Sequence, residues 1–244
     1  MATATTGTPV SGGGGSDLAS VAPTTNPGVA TNLNAATQFL YTGSNPVQTG
    51  VQPGTIVLTR TAVLRGSVSD KDGQPLSGVA ITILDHPEFG QTVSRASGQF
   101  DMVVNGGGQL TVSYSKDGYL PVQRQVQTTW EDYARLPDVV LIPYDPHVTA
   151  VDLSANTPIQ VAQGSVISDS NGMRQATLLF AQGTTAAMSL TNGMTQTLST
   201  LHVRATEYSV GPNGPKAMPA VLPPSSLSER SGLSVSWVLI DVTV

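Results

Sequence analysis

An all-β protein, with an antiparallel β-sandwich as its main body, is the fold class this sequence predicts, on three observations. From about residue 57 the apolar side chains recur with period two, in short runs, which is the signature of half-buried strands. Turn residues separate these runs at intervals of about 8–12 residues, as in a sandwich of short strands. Helical periodicity is scarce, and residues 130–134 offer at most a single helical turn.

Residues 1–54 contain a single charge, Asp17, and are crowded with Thr, Ser, Gly, Pro, Ala and Asn, including four consecutive glycines at 12–15. Such a stretch has too little apolar surface to offset its chain entropy, so a disordered, flexible leader is expected. Within it Phe39, Leu40 and Tyr41 form a small apolar knot that either docks on the following domain or belongs to an unanchored linker, the linker being favoured. The opening lacks the basic and apolar stretches of a secretory signal; either the true start lies upstream or any export uses another route.

Residues 57–143 form the predicted sandwich. Ala62, Leu64, Gly66 and Val68 share one face, as do Val79, Ile81 and Ile83 in the next run, then Phe100, Met102 and Val104, then Leu110, Val112 and Tyr114. The punctuation agrees: Gly73, Gly78, Gly98, Gly106 and Gly107 mark structural turns, and Pro75 stiffens the first of them. Residues 139–142, closed by Pro143, read as the last buried strand. Residues 144–210 form a second, smaller β-rich region with candidate strands at 147–153, 159–168, 175–180 and 200–208. Residues 211–244 begin with a Pro/Gly-rich loop and end in an atypical tail.

Composition excludes several functions. Eleven basic and sixteen acidic residues give a net charge of −5, and only 11% of the chain is charged, against about 25% in ordinary soluble domains. So few cations cannot build a basic stripe, which argues against nucleic-acid binding. No apolar run approaches the ~18 residues of a membrane span. The absence of cysteine removes disulfide scaffolds, zinc–thiolate sites and thiol catalysis.

The search for chemistry finds no catalytic, cofactor-binding or metal-binding residue. Phosphate-cradling glycine loops, a nucleophile elbow and a two-histidine zinc motif are all missing. His86, His147 and His202 are far apart in sequence. Asp70 and Asp72 before Gly73 imitate the opening of a calcium loop, but no distal glutamate follows, so a hairpin turn is expected. Glu131 and Asp132, adjacent in an extended segment, point apart and read as a solvated edge rather than an acid/base pair. The scarce aromatics Tyr119, Trp130 and Tyr133 gather around the segment between two strands. They are the candidate interface: exposed, they would stack on sugar rings or anchor another domain; buried, they would close one end of the core.

The stretch 63–70 followed by Gly73-Gln74-Pro75-Leu76-Ser77-Gly78-Val79 resembles the first hairpin of carboxypeptidase regulatory-like domains, which are transthyretin-type sandwiches. Residues 86–92, 94–101 and 104–111, continuing through 123–126, Trp130 and 136–142, resemble the plug domain of teneurins and the matching region of bacterial RHS/YD-repeat proteins. Downstream, 159–161, 175–186, 202–208 and 210–224 are similar to the continuation of the RHS family, where a long YD-repeat array builds a hollow β-shell. No tyrosine–aspartate repeat is present here, and residues 227–244 depart from the family pattern, so a shortened copy is expected.

The resemblance implies a non-catalytic structural or interaction module of an exported, extracellular or cell-surface protein, partnered by a YD-repeat shell. Its alternative is a carbohydrate-binding module of the transthyretin-like type. An exposed Trp130 coplanar with Tyr119 or Tyr133 favours sugar binding; a buried Trp130 favours the structural role.

Overall fold

The computed structural model describes residues 18–24, 28, 30–169, 172–190, 192–208, 214–220 and 237–243. They fall into two compact units. One takes in the described residues from 18 to 143 together with 214–220, and the other takes in 144–208 with 237–243.

Among the described residues, nine strands build the first unit: β1 (Gln48–Thr49), β2 (Thr61–Ser69), β3 (Ala80–Ile83), β4 (Gln91–Val93), β5 (Gln99–Asn105), β6 (Gly108–Ser115), β7 (Val122–Thr128), β8 (Asp132–Arg135) and β9 (Val139–Val140). One sheet has the order β1-β4-β3-β6-β7; the other has the order β5-β2-β8, with β9 also on β2. The alternation read from the sequence sets the register. Leu64, Val68, Ile81, Phe100, Met102, Val112 and Tyr114 are all buried in one cluster between the sheets. Ladders are antiparallel except where β8 and β9 run parallel to β2. Residues 130–134 make no helical turn, because Asp132–Arg135 extends along β2 instead.

The expected leader does not run to residue 54. After a helical turn α1 (Leu18–Val21), a short helix α2 (Leu33–Thr37), capped by the Asn32 side chain, leads into a 3-10 turn at Gln38–Leu40. Leu40 and Val47 are buried against Val63 and Val103, on the outer face of the β5-β2-β8 sheet. Phe39 and Tyr41 pack on the same cluster, so the apolar knot docks. β1 then joins the edge of the other sheet, where Gln48 pairs with Thr92. The Gln48 side chain, fully buried, donates to the Phe89 and Val103 carbonyls (2.8 and 2.9 Å) and accepts from the Val103 N–H (2.7 Å). β5 is an edge strand, and this amide supplies the partner that the Val103 backbone lacks on the side away from β2. A few well-placed apolar and amide groups therefore anchor a segment whose composition alone reads as unstructured. Residues 1–17, 25–27 and 29 of the expected leader lie outside the described residues.

The opposite edge, at β7, is covered from further down the chain. A helical turn α3 (Gly214–Ala217) precedes Pro219, whose carbonyl accepts from the Gln123 N–H at 2.7 Å. Arg124 points inward from β7 and donates to the carbonyls of Gln123, Met218 and Lys216 at 2.6–2.8 Å. Burial holds its guanidinium below the usual range. The segment expected to be loop is thus, in its described part, a pinned edge cover.

In the second unit, β10 (Val148–Asp152), β17 (Thr200–Tyr208) and β18 (Trp237–Thr243) form an antiparallel sheet of order β10-β17-β18. β11 (Ile159–Gln163) pairs with β14 (Thr177–Ala181), β12 (Ile167–Asp169) with β13 (Gly172–Arg174), and β15 (Ala186–Ser189) with β16 (Thr195–Leu198). Val151, Ala162, Leu201 and Val203 are its buried centre. Within the stretch expected as an atypical tail, Trp237–Thr243 pairs with β17 over seven positions, as its β-branched and aromatic residues favour.

Candidate functional site

The three candidate aromatics do not gather. Tyr119 sits in the β6–β7 connection, bridged to Pro143 and packed against the sandwich core. Trp130 follows β7, so the seven residues of that strand, at ~3.4 Å each, place them at opposite ends of the sandwich. Trp130 is 61% exposed and Tyr133 is 45% exposed. The Trp130 indole lies over Gly107, where a Cβ would stand 2.0 Å from Nε1. Among the described residues the ring–ring contacts are His86–Phe89 and Phe100–Tyr114, so Trp130 stacks on neither tyrosine.

Tyr133 belongs to a different constellation. Its ring carries the Arg65 guanidinium 4.2 Å from the centroid. Arg65 Nε donates to Asp101 Oδ1 at 2.6 Å, and Arg95 Nη2 donates to Asp101 Oδ2 at 2.8 Å. The strand registers explain the assembly: Arg65 is opposite Asp101 on β5 and beside Arg135 on β8, so all three lie on the outer face with Tyr133. Asp101 is nearly fully buried, whereas Arg65 is half exposed. Sequence reasoning missed this group, since its members are spread from residue 65 to residue 135 and only strand pairing brings them together.

The turn residues occupy connections. Gly73, Gly78 and Gly98 lie in bends, and Pro75 makes an isolated bridge to Ser69. At Gly106 a Cβ would stand 2.0 Å from the Thr129 carbonyl oxygen, and Gly107 has φ of +96°. Asp70 Oδ1 accepts from the N–H groups of Asp72 and Gln74, closing the hairpin turn on itself.

Several of the remaining titratable groups are engaged locally. Glu131 and Asp132 are exposed, and Asp132 caps Thr129 and the Tyr133 N–H. His86 Nδ1 lies 2.9 Å from Glu88 Oε1, a bond that holds the Glu88 carboxyl below its usual range. His147 Nδ1 meets the Gln163 carbonyl, and His202 is exposed on β17. Asp145 accepts from His147 N–H, Ser165 N–H and Ser165 Oγ; burial opposes its ionisation, but these bonds outweigh it and hold the carboxyl low. Among the described residues no group of three His, Asp or Glu side chains is arranged to hold a metal. No described helix is long and apolar enough to cross a membrane. A concavity of about 410 Å³ beside Ala35, Phe39 and Thr42 is lined without a titratable side chain, as is one of about 300 Å³ between Leu153 and Thr197 in the second unit.

A two-sheet sandwich of this topology now has relatives to set beside it. Residues 57–141 match the family model described as Teneurin TTR-like domain. Teneurin-1 of Gallus gallus is 33% identical over 109 residues, covering 44% of this chain and 4% of that protein. Teneurin-3 of Mus musculus is 32% identical over 108 residues, covering 43% and 4%. Teneurin-m of Drosophila melanogaster is 36% identical over 83 residues, covering 34% and 3%. The sandwich is therefore teneurin-like, and the matched stretch spans about 4% of the length of these curated relatives. Among solved structures, 3-chlorocatechol 1,2-dioxygenase from Rhodococcus opacus overlaps at a TM-score of 0.30 and 12% identity over 38% of this chain and 62% of that one, too loosely to bear on function.

Proposed function

We propose that this chain is a non-catalytic structural and interaction module whose sandwich packs against a larger β-shell of tyrosine–aspartate repeats, in an extracellular or cell-surface protein. The observation that carries the reading is the teneurin TTR-like match, which runs from residue 57 to 141 and so takes in every strand from β2 to β9. Carbohydrate binding is the second reading, favoured by one observation: the 61% exposure of Trp130, because an indole face open to solvent suits a sugar ring.

Co-purification of the full chain with a YD-repeat fragment from the same source tests the two. Stable association that survives Trp130→Ala supports the shell-packing module. No association, together with millimolar or tighter oligosaccharide binding that is lost in Trp130→Ala, overturns it in favour of the sugar-binding reading.

A further inference from the structure

We propose that Arg65 and Arg135, on the outer face of the β5-β2-β8 sheet and backed by the buried Arg95, form a recognition site for a carboxylate side chain of a partner protein. The site is separate from the shell-packing reading and does not depend on it.

Three features converge. First, Arg65 is pre-positioned. Asp101 holds its Nε and the Tyr133 ring supports its plane, while the side chain stays 52% exposed. Its two terminal nitrogens donate to no partner among the described residues, so a fixed planar fork with free donors faces outward. That geometry matches the two oxygens of a carboxylate, and the ordering cost of the arginine has already been met in the free protein.

Second, Arg135 is the register neighbour of Arg65 on the parallel strand β8, so two guanidinium groups share one face on adjacent strands. Arg135 is exposed and has no side-chain hydrogen bond or ion pair among the described residues. Like charges so placed repel, and an anion between them removes the repulsion.

Third, donors outnumber acceptors. Asp101 is the one carboxylate within the cluster; it serves both Arg65 and Arg95, and Arg95 Nη1 is buried without a hydrogen-bond partner. Arg65, Arg95 and Arg135 bring three positive charges against Asp101, and Asp138, which accepts from Ser67 further along β2 and pairs with Lys216, leaves that surplus in place, on a chain whose net charge is −5. A long polyanion would be repelled by the rest of the surface, whereas one or two carboxylates reach the cluster at short range. Charge complementarity therefore selects an acidic protein segment over a sulfated glycan.

The test uses the full chain and a short fluorescein-labelled peptide alternating glutamate with serine, with fluorescence anisotropy as the readout. The glutamate peptide should bind, and the same peptide with glutamine in place of glutamate should not. Arg135→Gln and Arg65→Lys should each weaken binding by about tenfold, the first by losing a charge-assisted bond and the second by replacing a fork with a point charge. The melting temperature of Arg135→Gln should be unchanged or higher, since Arg135 has no partner to lose; this separates lost recognition from lost folding. Failure of the glutamate peptide to bind, or equal binding by Arg135→Gln and the parent, overturns the site. Tighter binding of a heparin oligosaccharide, with the same arginine dependence, overturns the choice of partner.

Discussion

Replacing Gln48 with alanine should remove the clamp between the first unit's two sheets. In the native fold this side chain satisfies the Val103 N–H, the Val103 carbonyl and the Phe89 carbonyl, all inside the protein. Alanine leaves one donor and two acceptors unpaired. Each buried group left unpaired costs about 1–3 kcal/mol, and water entering the gap recovers part, so the expected loss is about 3–5 kcal/mol. Against a total stability of about 5–15 kcal/mol, that is a large share.

Equilibrium urea unfolding of the full chain, followed by far-UV circular dichroism, is the assay. With a slope of about 2 kcal/mol/M, the midpoint should fall by about 2 M. Hydrogen exchange at the Val103 amide should accelerate in parallel. Gln48→Glu adds a second check on the geometry. Its carboxyl faces two carbonyl oxygens, so its folded-state pKa rises above the unfolded value of about 4.3. That variant should be most stable below about pH 4.3 and should lose stability as pH rises through the folded pKa. A midpoint shift of less than about 0.3 M in Gln48→Ala, with Val103 exchange unchanged, would refute the reasoning and return residues 33–49 to the status of a linker.

Tyr114→Phe should stabilise the sandwich by about 1 kcal/mol, because the Tyr114 hydroxyl is buried without a partner and burial drives its pKa upward; a loss of stability in thermal unfolding contradicts this. Gly106→Ala should cost at least about 2 kcal/mol, since the new Cβ meets the Thr129 carbonyl at 2.0 Å, whereas Gly73→Ala, whose Cβ enters open space, should cost about 1 kcal/mol from its positive φ alone; paired urea titrations compare them. Asp145 has a depressed folded-state pKa, so its contribution is present above the unfolded value of about 3.9 and is lost as pH falls through the folded value. Thermal melts of parent and Asp145→Asn should therefore differ near neutrality and converge in acid, and a pH-independent difference would exclude the carboxylate as the cause.

The sandwich core was legible because alternation reports one buried face directly: Leu64, Ile81, Met102 and Val112 all stand where period two puts them. The docked segment was not, because its composition is polar and its anchors are single residues. A signal was nevertheless present in its receptor. Residues 62–64 and 102–104 are unbroken apolar runs, and such runs belong to strands covered on both faces; Val63 and Val103 are the positions that residues 33–47 cover. The tail strand Trp237–Thr243 was visible as an apolar stretch but had no sequence-level partner until β17 supplied one. The arginine cluster could not be read at all, because 36 residues separate Arg65 from Asp101 and only the β2–β5 register joins them. Of the aromatic trio, sequence proximity misled, since β7 carries Trp130 away from Tyr119.

Hydrogen exchange of the full chain, alone and mixed with a YD-repeat fragment, tests the interaction-module reading most directly. Slowed exchange within residues 33–143 on mixing is the expected result, because the sandwich is the part proposed to pack against the shell. Unchanged exchange throughout that region, or slowing confined to residues 144–208, would contradict it.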